Sequence, residues 1–178
     1  MKEKEIIQGL RNGKSEYVDF IVARYYEEVF HYLCRKLGDV TEAQDLTQDV
    51  FLRFFTKLYL YQDKGKLRNY LLKIATNLSN DIFRKRKPTI PIEQYFDIPD
   101  NEKNPLERVE IKEMKNEVNT ALQMLPLEQR EVIILRFYHD LSFKDIARIT
   151  DANLSTVKSR YRRGMETLKK RLEVNYEK

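Results

Sequence analysis

The sequence predicts an all-α protein with two small helical domains joined by an acidic, proline-containing linker. Glycine and proline are scarce, with five of each among 178 residues, and this composition favours helices over a turn-rich β fold. Apolar residues recur at helical spacing on both sides of one stretch that holds four of the five prolines. The predicted division is therefore residues 1–87, a linker at 88–106, and residues 107–178.

Charge and cysteine content limit the class of protein. The chain carries a net charge of +5, which permits a nucleic-acid partner. Its single cysteine forms no intramolecular disulfide, as suits a reducing cytosol. The N-terminal segment "MKEKEIIQGL" lacks the apolar core of a signal peptide, and apolar runs such as Val132–Leu135 are too short to span a bilayer. We expect a cytoplasmic protein without membrane insertion.

The first domain is predicted to be a helical bundle. A helical stripe of apolar residues covers 15–37, and the Gly-Asp pair at 38–39 ends that helix. Thr41 followed by Gln44 predicts a capping-box start for the second helix. The last helix of the bundle, "RNYLLKIATNLSNDIFRKRK", covers 68–87 and has its own apolar stripe.

Residues 88–106 form the predicted linker. The segment contains four prolines and four acidic residues against one lysine. Prolines at this spacing exclude a long helix, and the polar composition does not supply a packed core. By its composition alone, the segment suits a flexible tether.

The second domain is predicted to end in a helix-turn-helix. Ser142, with Asp145 three residues later, predicts the start of a short helix. The "DAN" segment at 151–153 predicts a turn, whose asparagine caps the final helix. Helical spacing then predicts an inward face on the final helix made of Val157, Tyr161, Met165, Leu168 and Leu172.

The opposite face of this final helix is strongly basic. From Ser155 to Leu172 there are seven Lys or Arg against one Glu, a local charge of +6. A face that serves only solubility usually mixes both signs. Arginine can bridge guanine O6 and N7, and serine can bond base edges or phosphates. The pattern predicts a recognition helix in the major groove, with Ser155, Lys158, Ser159, Arg162 and Arg163 facing the DNA.

Other chemistry has little support in the sequence. His31 and Cys34 lie three residues apart on one predicted helix, but a structural zinc site needs about four ligands. His139 is the only other histidine. No glycine-rich phosphate loop and no nucleophile–base arrangement is present. We therefore expect no metal, no cofactor and no enzymatic activity.

Three stretches, in order along the chain, resemble one known family. "AQDLTQDVFLRFF" at 43–55 is similar to the most recognisable motif in the first domain of bacterial RNA polymerase sigma factors. "YLLKIATNLSNDIFRKRKP" at 70–88 resembles their promoter-melting helix, which reads the −10 element. Residues 125–164 resemble their C-terminal domain. The short length and the missing intermediate domain are typical of the extracytoplasmic function (ECF) group.

The resemblance implies a factor that binds core RNA polymerase, recognises the −10 and −35 promoter elements and helps to open the DNA. It also implies control by an anti-sigma factor. On the predicted second helix, Asp45, Gln48 and Asp49 lie opposite the apolar residues. By pattern alone these three residues equally suit an ordinary polar surface, and the resemblance implies that they dock on the polymerase.

The resemblance also implies two sets of DNA contacts. The −35 contacts are Lys158, Ser159, Arg160, Arg162 and Arg163, with Arg160 nearest to phosphate. The −10 contacts are Tyr61, Asn77, Asp81, Arg84 and Arg86. For Tyr61, stacking on a flipped base and packing in the core remain equally open. Asp151 replaces the usual turn glycine of the family, and aspartate tolerates a left-handed backbone.

Two alternatives stay open at this point. A helix-turn-helix transcription regulator of the response-regulator output type would share the C-terminal pattern but would not need the motif at 43–55. An inactive sigma mimic that sequesters a regulator would bind polymerase without melting DNA.

Overall fold

The computed structural model describes residues 3–62, 65–85 and 108–176, without the side chains of 108–115 and 174–176. The predicted linker at 88–106 and the predicted −10 contact Arg86 lie outside these residues. Throughout the described part every regular element is a helix, in agreement with the all-α prediction.

The helices form two groups in chain order. The first group consists of α1 (Glu3–Arg11), α2 (Glu16–Leu37), α3 (Val40–Thr56), a 3-10 turn (Leu58–Leu60) and α4 (Leu67–Lys85). The second consists of α5 (Arg108–Gln123), α6 (Leu127–Ile133), a π-helical segment (Ile134–Tyr138), α7 (Phe143–Ile149) and α8 (Leu154–Tyr176). Helices α2, α3 and α4 pack together, α1 lies against α2, and α6 and α7 both contact α8.

The start of α3 differs from the sequence prediction. Gly38 adopts a left-handed backbone with φ 77° and ends α2. Asp39 is then extended, and its carboxylate accepts a hydrogen bond from the Glu42 N–H at 2.8 Å. The capping box predicted at Thr41 is therefore wrong. The cap falls two residues earlier because the chain leaves the left-handed turn directly into an extended residue with a short acceptor side chain.

The caps of the second group agree with the prediction. The Asp145 N–H donates to Ser142 Oγ at 3.1 Å, and the Thr156 N–H donates to Asn153 Oδ1 at 2.8 Å. Asp151 adopts φ 50° in the turn between α7 and α8. An aspartate thus holds a left-handed position that glycine adopts more readily.

Helix α8 is rotated slightly from the predicted orientation. Val157, Gly164 and Leu168 are buried, whereas Met165 is 37% exposed, so the prediction that Met165 packs inward is wrong. A Cβ atom at Gly164 would lie 2.6 Å from Ile133 Cδ1. Because α6 approaches α8 so closely, only a residue without a side chain fits against it, and Gly164 is the buried residue. The larger side chain of Met165 points outward.

The buried core continues across both groups. Its largest cluster joins residues of α2, α3 and α4 to residues of α6, α7 and α8, among them Leu33, Leu71, Val132 and Ile146. A smaller cluster around Leu122 joins α5 to α6 and α8. The two predicted domains are consequently in direct contact, which the sequence did not predict.

Candidate nucleic-acid and polymerase interfaces

The second group contains the predicted helix-turn-helix. Val157 is fully buried and anchors the start of α8. The ring of Tyr161 packs edge-on against Phe143 of α7, with the ring centres 5.3 Å apart. These contacts fix one face of α8 against α7 and leave the basic face outward.

Four of the five predicted −35 contacts lie along this outward side of α8, and the fifth, Arg160, lies at its border with α6. Lys158, Arg162 and Arg163 are exposed, whereas Ser159 and Arg160 are half-buried. Arg160 is held by Glu128 of α6, with 3.0 Å between the guanidinium and carboxylate atoms. A shallow depression beside the helix is lined by Pro126, Glu128, Gln129, Ser155, Thr156, Ser159, Arg160 and Arg163. Arg160 is thus less available to DNA than its three exposed neighbours.

The predicted polymerase-binding residues lie together on α3. Asp45, Gln48 and Asp49 are all exposed, while Leu46 and Val50 are buried. Leu52 lies on the same exposed face as these polar residues, one turn after Asp49, and is 66% exposed. The sequence reasoning missed Leu52, although its place three residues after Asp49 put it on the polar face.

The predicted −10 residues on α4 occupy one side of that helix. Asn77 is exposed. Asp81 is half-buried and forms a close ion pair with the exposed Arg84 one turn later. The Asp81 carboxylate is therefore already engaged, and Asn77 is the most accessible neutral hydrogen-bonding group among these residues.

Tyr61 is only 4% exposed. Its ring contacts those of Phe54 and Tyr70, with centres 6.0 and 4.9 Å away. Its hydroxyl donates to Glu3 Oε1 at 3.1 Å, and its carbonyl accepts a close hydrogen bond from Arg11. Helix α1 thus covers Tyr61, so stacking on a base would require displacement of this ring. The sequence reasoning did not foresee α1, although Ile6, Ile7 and Leu10 have helical spacing.

Two lysines near the predicted −10 surface contact the second group. Lys66 Nζ donates to Asp145 Oδ1 at 2.7 Å, and Lys73 Nζ donates to Asp151 Oδ1 at 2.6 Å. Hydrogen bonds from Lys66 and Ser142 hold the pKa of the Asp145 carboxyl below its ordinary value. These ammonium groups are thus already hydrogen-bonded to α7 and to the turn that follows it.

The geometry at His31 and Cys34 does not resemble a metal site. Burial raises the pKa of the Cys34 thiol to about 12, so the thiolate needed for metal binding is disfavoured. Across residues 3–62, 65–85 and 108–176, no three His, Cys, Asp or Glu side chains group around a possible ion position. None of the described helices has the length and apolar character required to cross a membrane.

Comparison with known proteins identifies the family. The model for sigma-70 region 2 matches residues 21–89, and the model for sigma-70 region 4 matches residues 115–168. The ECF RNA polymerase sigma factor SigW of Bacillus subtilis is 31% identical, and the alignment covers 97% of both chains. The chain belongs to the ECF group of RNA polymerase sigma factors.

Two solved structures share the fold of this sigma factor. RpoE of Bartonella quintana, solved in complex with the anti-sigma factor NepR, is 23% identical with a TM-score of 0.72, covering 88% of this chain and 96% of that one. CnrH, solved with the cytosolic domain of CnrY, is 20% identical with a TM-score of 0.71, covering 97% of each chain. The predicted all-α fold of two helical domains is confirmed.

The predicted function is confirmed at the level of the family. The protein is a sigma factor, a transcription initiation factor that acts with RNA polymerase on promoter DNA. The alternative of a helix-turn-helix regulator is not favoured, because the match to region 2 covers the first half of the chain. The roles of individual residues remain predictions.

Proposed function

We propose that residues 1–87 bind core RNA polymerase and the −10 element, and that residues 107–178 read the −35 element, with residues 88–106 as the connection between them. The observation that carries this assignment is the pairing of two exposed surfaces in one chain. Helix α8 presents an exposed basic face, and α3 presents exposed Asp45, Gln48 and Asp49. A simple DNA-binding regulator requires the first surface but not the second.

The −35 element is read by α8. Lys158, Arg162 and Arg163 are exposed and extend from the N-terminal half of the helix, the part that reaches base edges in a helix-turn-helix. Ser159 lies beside them at the depression. Arg160, restrained by Glu128, contacts phosphate rather than a base.

The −10 element is bound by α4 and the segment before it. Asn77 offers both a donor and an acceptor to a base edge. Asp81 and Arg84 act as an ion pair, and the exposed guanidinium of Arg84 contacts the phosphate backbone. Arg86, two residues after Arg84 in the sequence, adds positive charge. Tyr61 stacks on a base only after its ring leaves the pocket under α1.

The α3 face docks on a basic helical surface of the polymerase. Asp45, Gln48 and Asp49 supply acidic and amide groups, which complement positive charge. Leu52 adds an exposed apolar side chain to the same stripe. An interface of this kind combines electrostatic orientation at its rim with apolar burial near its centre.

The protein acts in the cytoplasm, where the polymerase is found, and performs no catalysis of its own. It needs no cofactor and no metal. An anti-sigma factor keeps it inactive until it is required. The support for this last step is that the structural relative RpoE was solved in complex with an anti-sigma factor.

Run-off transcription with purified core polymerase tests the proposed function. Transcript start sites mapped after overexpression supply the promoter. We expect promoter-specific initiation that depends on both elements. Tight binding to duplex DNA without initiation would reject the proposal in favour of a regulator, and core binding without strand opening would favour a sigma mimic.

The docking face has its own test. We expect the double change Asp45→Ala with Gln48→Ala to weaken binding to core polymerase while leaving thermal unfolding unchanged, because both side chains are exposed. Glu27→Ala, at an exposed acidic position of α2, is the matched control. Unchanged affinity of the double variant for core polymerase would remove α3 from the interface.

A further inference from the structure

Helix α1 holds the segment that leads into α4. Glu3 Oε1 accepts two hydrogen bonds, from the Tyr61 hydroxyl at 3.1 Å and from the Leu67 N–H at 2.8 Å. Arg11, at the other end of α1, donates a close hydrogen bond to the Tyr61 carbonyl. Tyr61 follows the 3-10 turn and Leu67 begins α4. Glu3 and Arg11 therefore hold both ends of the segment 61–67, and they are called the α1 clamp below.

Helix α1 is itself packed firmly against the rest of the first group. Ile6 and Ile7 are 3% and 1% exposed and belong to the main core cluster. A Cβ atom at Gly9 would lie 2.1 Å from Tyr17 Cε2, so a side chain there would displace the ring at the start of α2. Glycine thus allows α1 to lie close to α2. The helix that carries the α1 clamp is consequently held in one place.

The C-terminal end of α1 also has a defined geometry. Gly13 adopts φ 79°, and its N–H donates to the Leu10 carbonyl at 3.0 Å. The Lys14 N–H donates to the Gly9 carbonyl, also at 3.0 Å. This pair of hydrogen bonds is the Schellman arrangement, which ends a helix at a left-handed glycine. The side chain of Arg11 therefore extends from a fixed backbone in the last turn of α1.

Glu3 supplies a negative charge to the start of α4. The first N–H groups of a helix have no partner within the helix, and its N-terminus carries partial positive charge. The Leu67 N–H is one of these groups, and Leu67 is only 1% exposed. The carboxylate of Glu3 thus caps α4 from a different helix. Alanine at position 3 would remove the acceptor for this N–H.

The turn that the α1 clamp anchors carries exposed groups on its outer side. The Tyr61 N–H closes the 3-10 turn through a hydrogen bond to the Leu58 carbonyl at 3.1 Å. Tyr59 and Leu60 on this turn are 75% and 58% exposed, whereas Tyr61 is buried. Fixed surface turns with exposed side chains are typical positions for residues that contact a partner.

The charge around this turn suits a nucleic-acid partner. Residues 50–62 include the basic Arg53 and Lys57 and no Asp or Glu. Both basic side chains are exposed, close in sequence to the exposed ring of Tyr59. An aromatic ring among cations matches the stacked bases and phosphates of a single strand. The turn therefore fits an unpaired strand of the −10 element better than a basic protein surface.

We propose that Glu3 and Arg11 are positioning residues for recognition of the −10 element. They contact no DNA themselves. By holding both ends of the segment 61–67, they set the position at which this segment and the 3-10 turn meet the unpaired bases. The same contacts keep Tyr61 in place as a support for the turn. This inference rests on the proposed function, in which α4 and the segment before it bind the −10 element.

Hydrogen exchange in the free protein tests the α1 clamp without polymerase or DNA. In the double variant Glu3→Ala with Arg11→Ala, the amide hydrogens of Tyr61 and Leu67 should exchange about tenfold or more faster than in the native chain, because the segment loses its restraints. The amides of α8 should exchange at native rates. Gln8→Ala, at an exposed position of α1, is the matched control and should leave all these rates unchanged.

Run-off transcription with core polymerase tests the effect on promoter selection. One promoter series replaces each base of the mapped −10 element in turn, and a second series does the same for the −35 element. The double variant should lose about threefold to tenfold in discrimination at one or more −10 positions, a range expected when residues act through their neighbours. Discrimination at the −35 element should keep its native value. Arg11→Lys retains a cationic donor and should restore most of the loss that Arg11→Ala causes.

The outcomes distinguish positioning from general stability and from obstruction. Native exchange rates in the double variant would overturn the α1 clamp. Faster exchange with native −10 discrimination, or equal losses at both promoter elements, would overturn its role in recognition. Stronger initiation by the double variant would show that α1 obstructs the base, and would overturn the proposal too. If the double variant does not fold, Arg11→Ala alone decides by the same criteria, because the Arg11 side chain is exposed.

The native chain separates this inference from the proposed function. If the native chain fails to initiate at the mapped promoter, the proposed function is rejected, and the role of Glu3 and Arg11 in recognition is rejected with it. If the native chain initiates and the double variant gives one of the contrary results, only the positioning role is overturned.

Discussion

At the scale of single residues, the structure separates side chains that have similar sequence signals. Tyr59 and Tyr61 both precede α4 among basic residues, yet Tyr59 is 75% exposed and Tyr61 is 4% exposed. The difference arises because α1 covers one ring and leaves the other in solvent. A residue proposed to stack on DNA can thus be part of the core in the free protein.

Substitution of Tyr61 tests its packing role. Tyr61→Phe keeps the ring but removes the hydrogen bond to Glu3, so we expect a loss of about 0.5–1.5 kcal/mol in the free energy of unfolding. Tyr61→Ala also removes the ring, and we expect about 3–5 kcal/mol. Denaturant unfolding measures both. Tyr59→Ala is the exposed control and should change stability by less than about 0.5 kcal/mol.

Arg163 tests base reading by α8. If its exposed guanidinium contacts a base, Arg163→Ala should weaken binding to the specific −35 duplex by about 1–3 kcal/mol and relax the preference at one position. Lys169→Ala, further along the same helix and also exposed, should weaken all sequences slightly and equally. An equal loss on every sequence for Arg163→Ala would show a phosphate contact instead. Competition binding at fixed salt distinguishes these results.

At the scale of helices, local sequence signals determined most boundaries. Ser142 and Asn153 cap α7 and α8 as predicted, because a cap depends on residues within one turn. The sequence prediction assigned Asp39 to the end of the preceding helix and the cap of α3 to Thr41, whereas the cap is Asp39. Both residues precede the apolar stripe of α3. The left-handed turn at Gly38 makes Asp39 the N-cap and places Thr41 in the first turn of the helix.

The corrected cap of α3 can be measured. Asp39→Ala removes the acceptor for the Glu42 N–H, and we expect a loss of about 0.5–2 kcal/mol in the free energy of unfolding. Thr41→Ala is the matched control, because Thr41 is exposed and lies within the first turn of the helix. A larger loss for Thr41→Ala than for Asp39→Ala would restore the original capping-box prediction.

At the scale of the whole molecule, ion pairs between the two groups of helices make their packing against each other sensitive to acid. Burial alone would raise the pKa of the Glu28 carboxyl, but hydrogen bonds from His139 and Arg68 outweigh it, and the pKa lies below its ordinary value. The pKa of Asp145 is lowered too, chiefly by the hydrogen bond from Lys66. A carboxyl with a lowered pKa stabilises the folded arrangement above its ordinary pKa and loses that contribution as the pH falls through the lowered value.

We therefore expect the two groups of helices to separate as the pH falls from about 5 to about 3, before the helices themselves unfold. Small-angle scattering measures the separation as a larger radius of gyration, and circular dichroism measures helical content. In the variant Glu28→Gln, residue 28 is neutral throughout this range, so the radius of gyration should depend less strongly on pH. A radius of gyration that stays constant until helical content falls would contradict this expectation.

The sequence by itself determined most of the helices after α1, most of their exposed polar faces and the family, because periodicity, caps and motifs depend on residues close together in the chain. It placed Asp45, Gln48 and Asp49 on one face and the basic residues of α8 on another, and both placements agree with the structure. Only the tertiary structure decided that Tyr61 is covered and that Lys36 meets Glu131, 95 positions away. Contacts at such separation depend on how whole helices pack, and no local pattern encodes that packing.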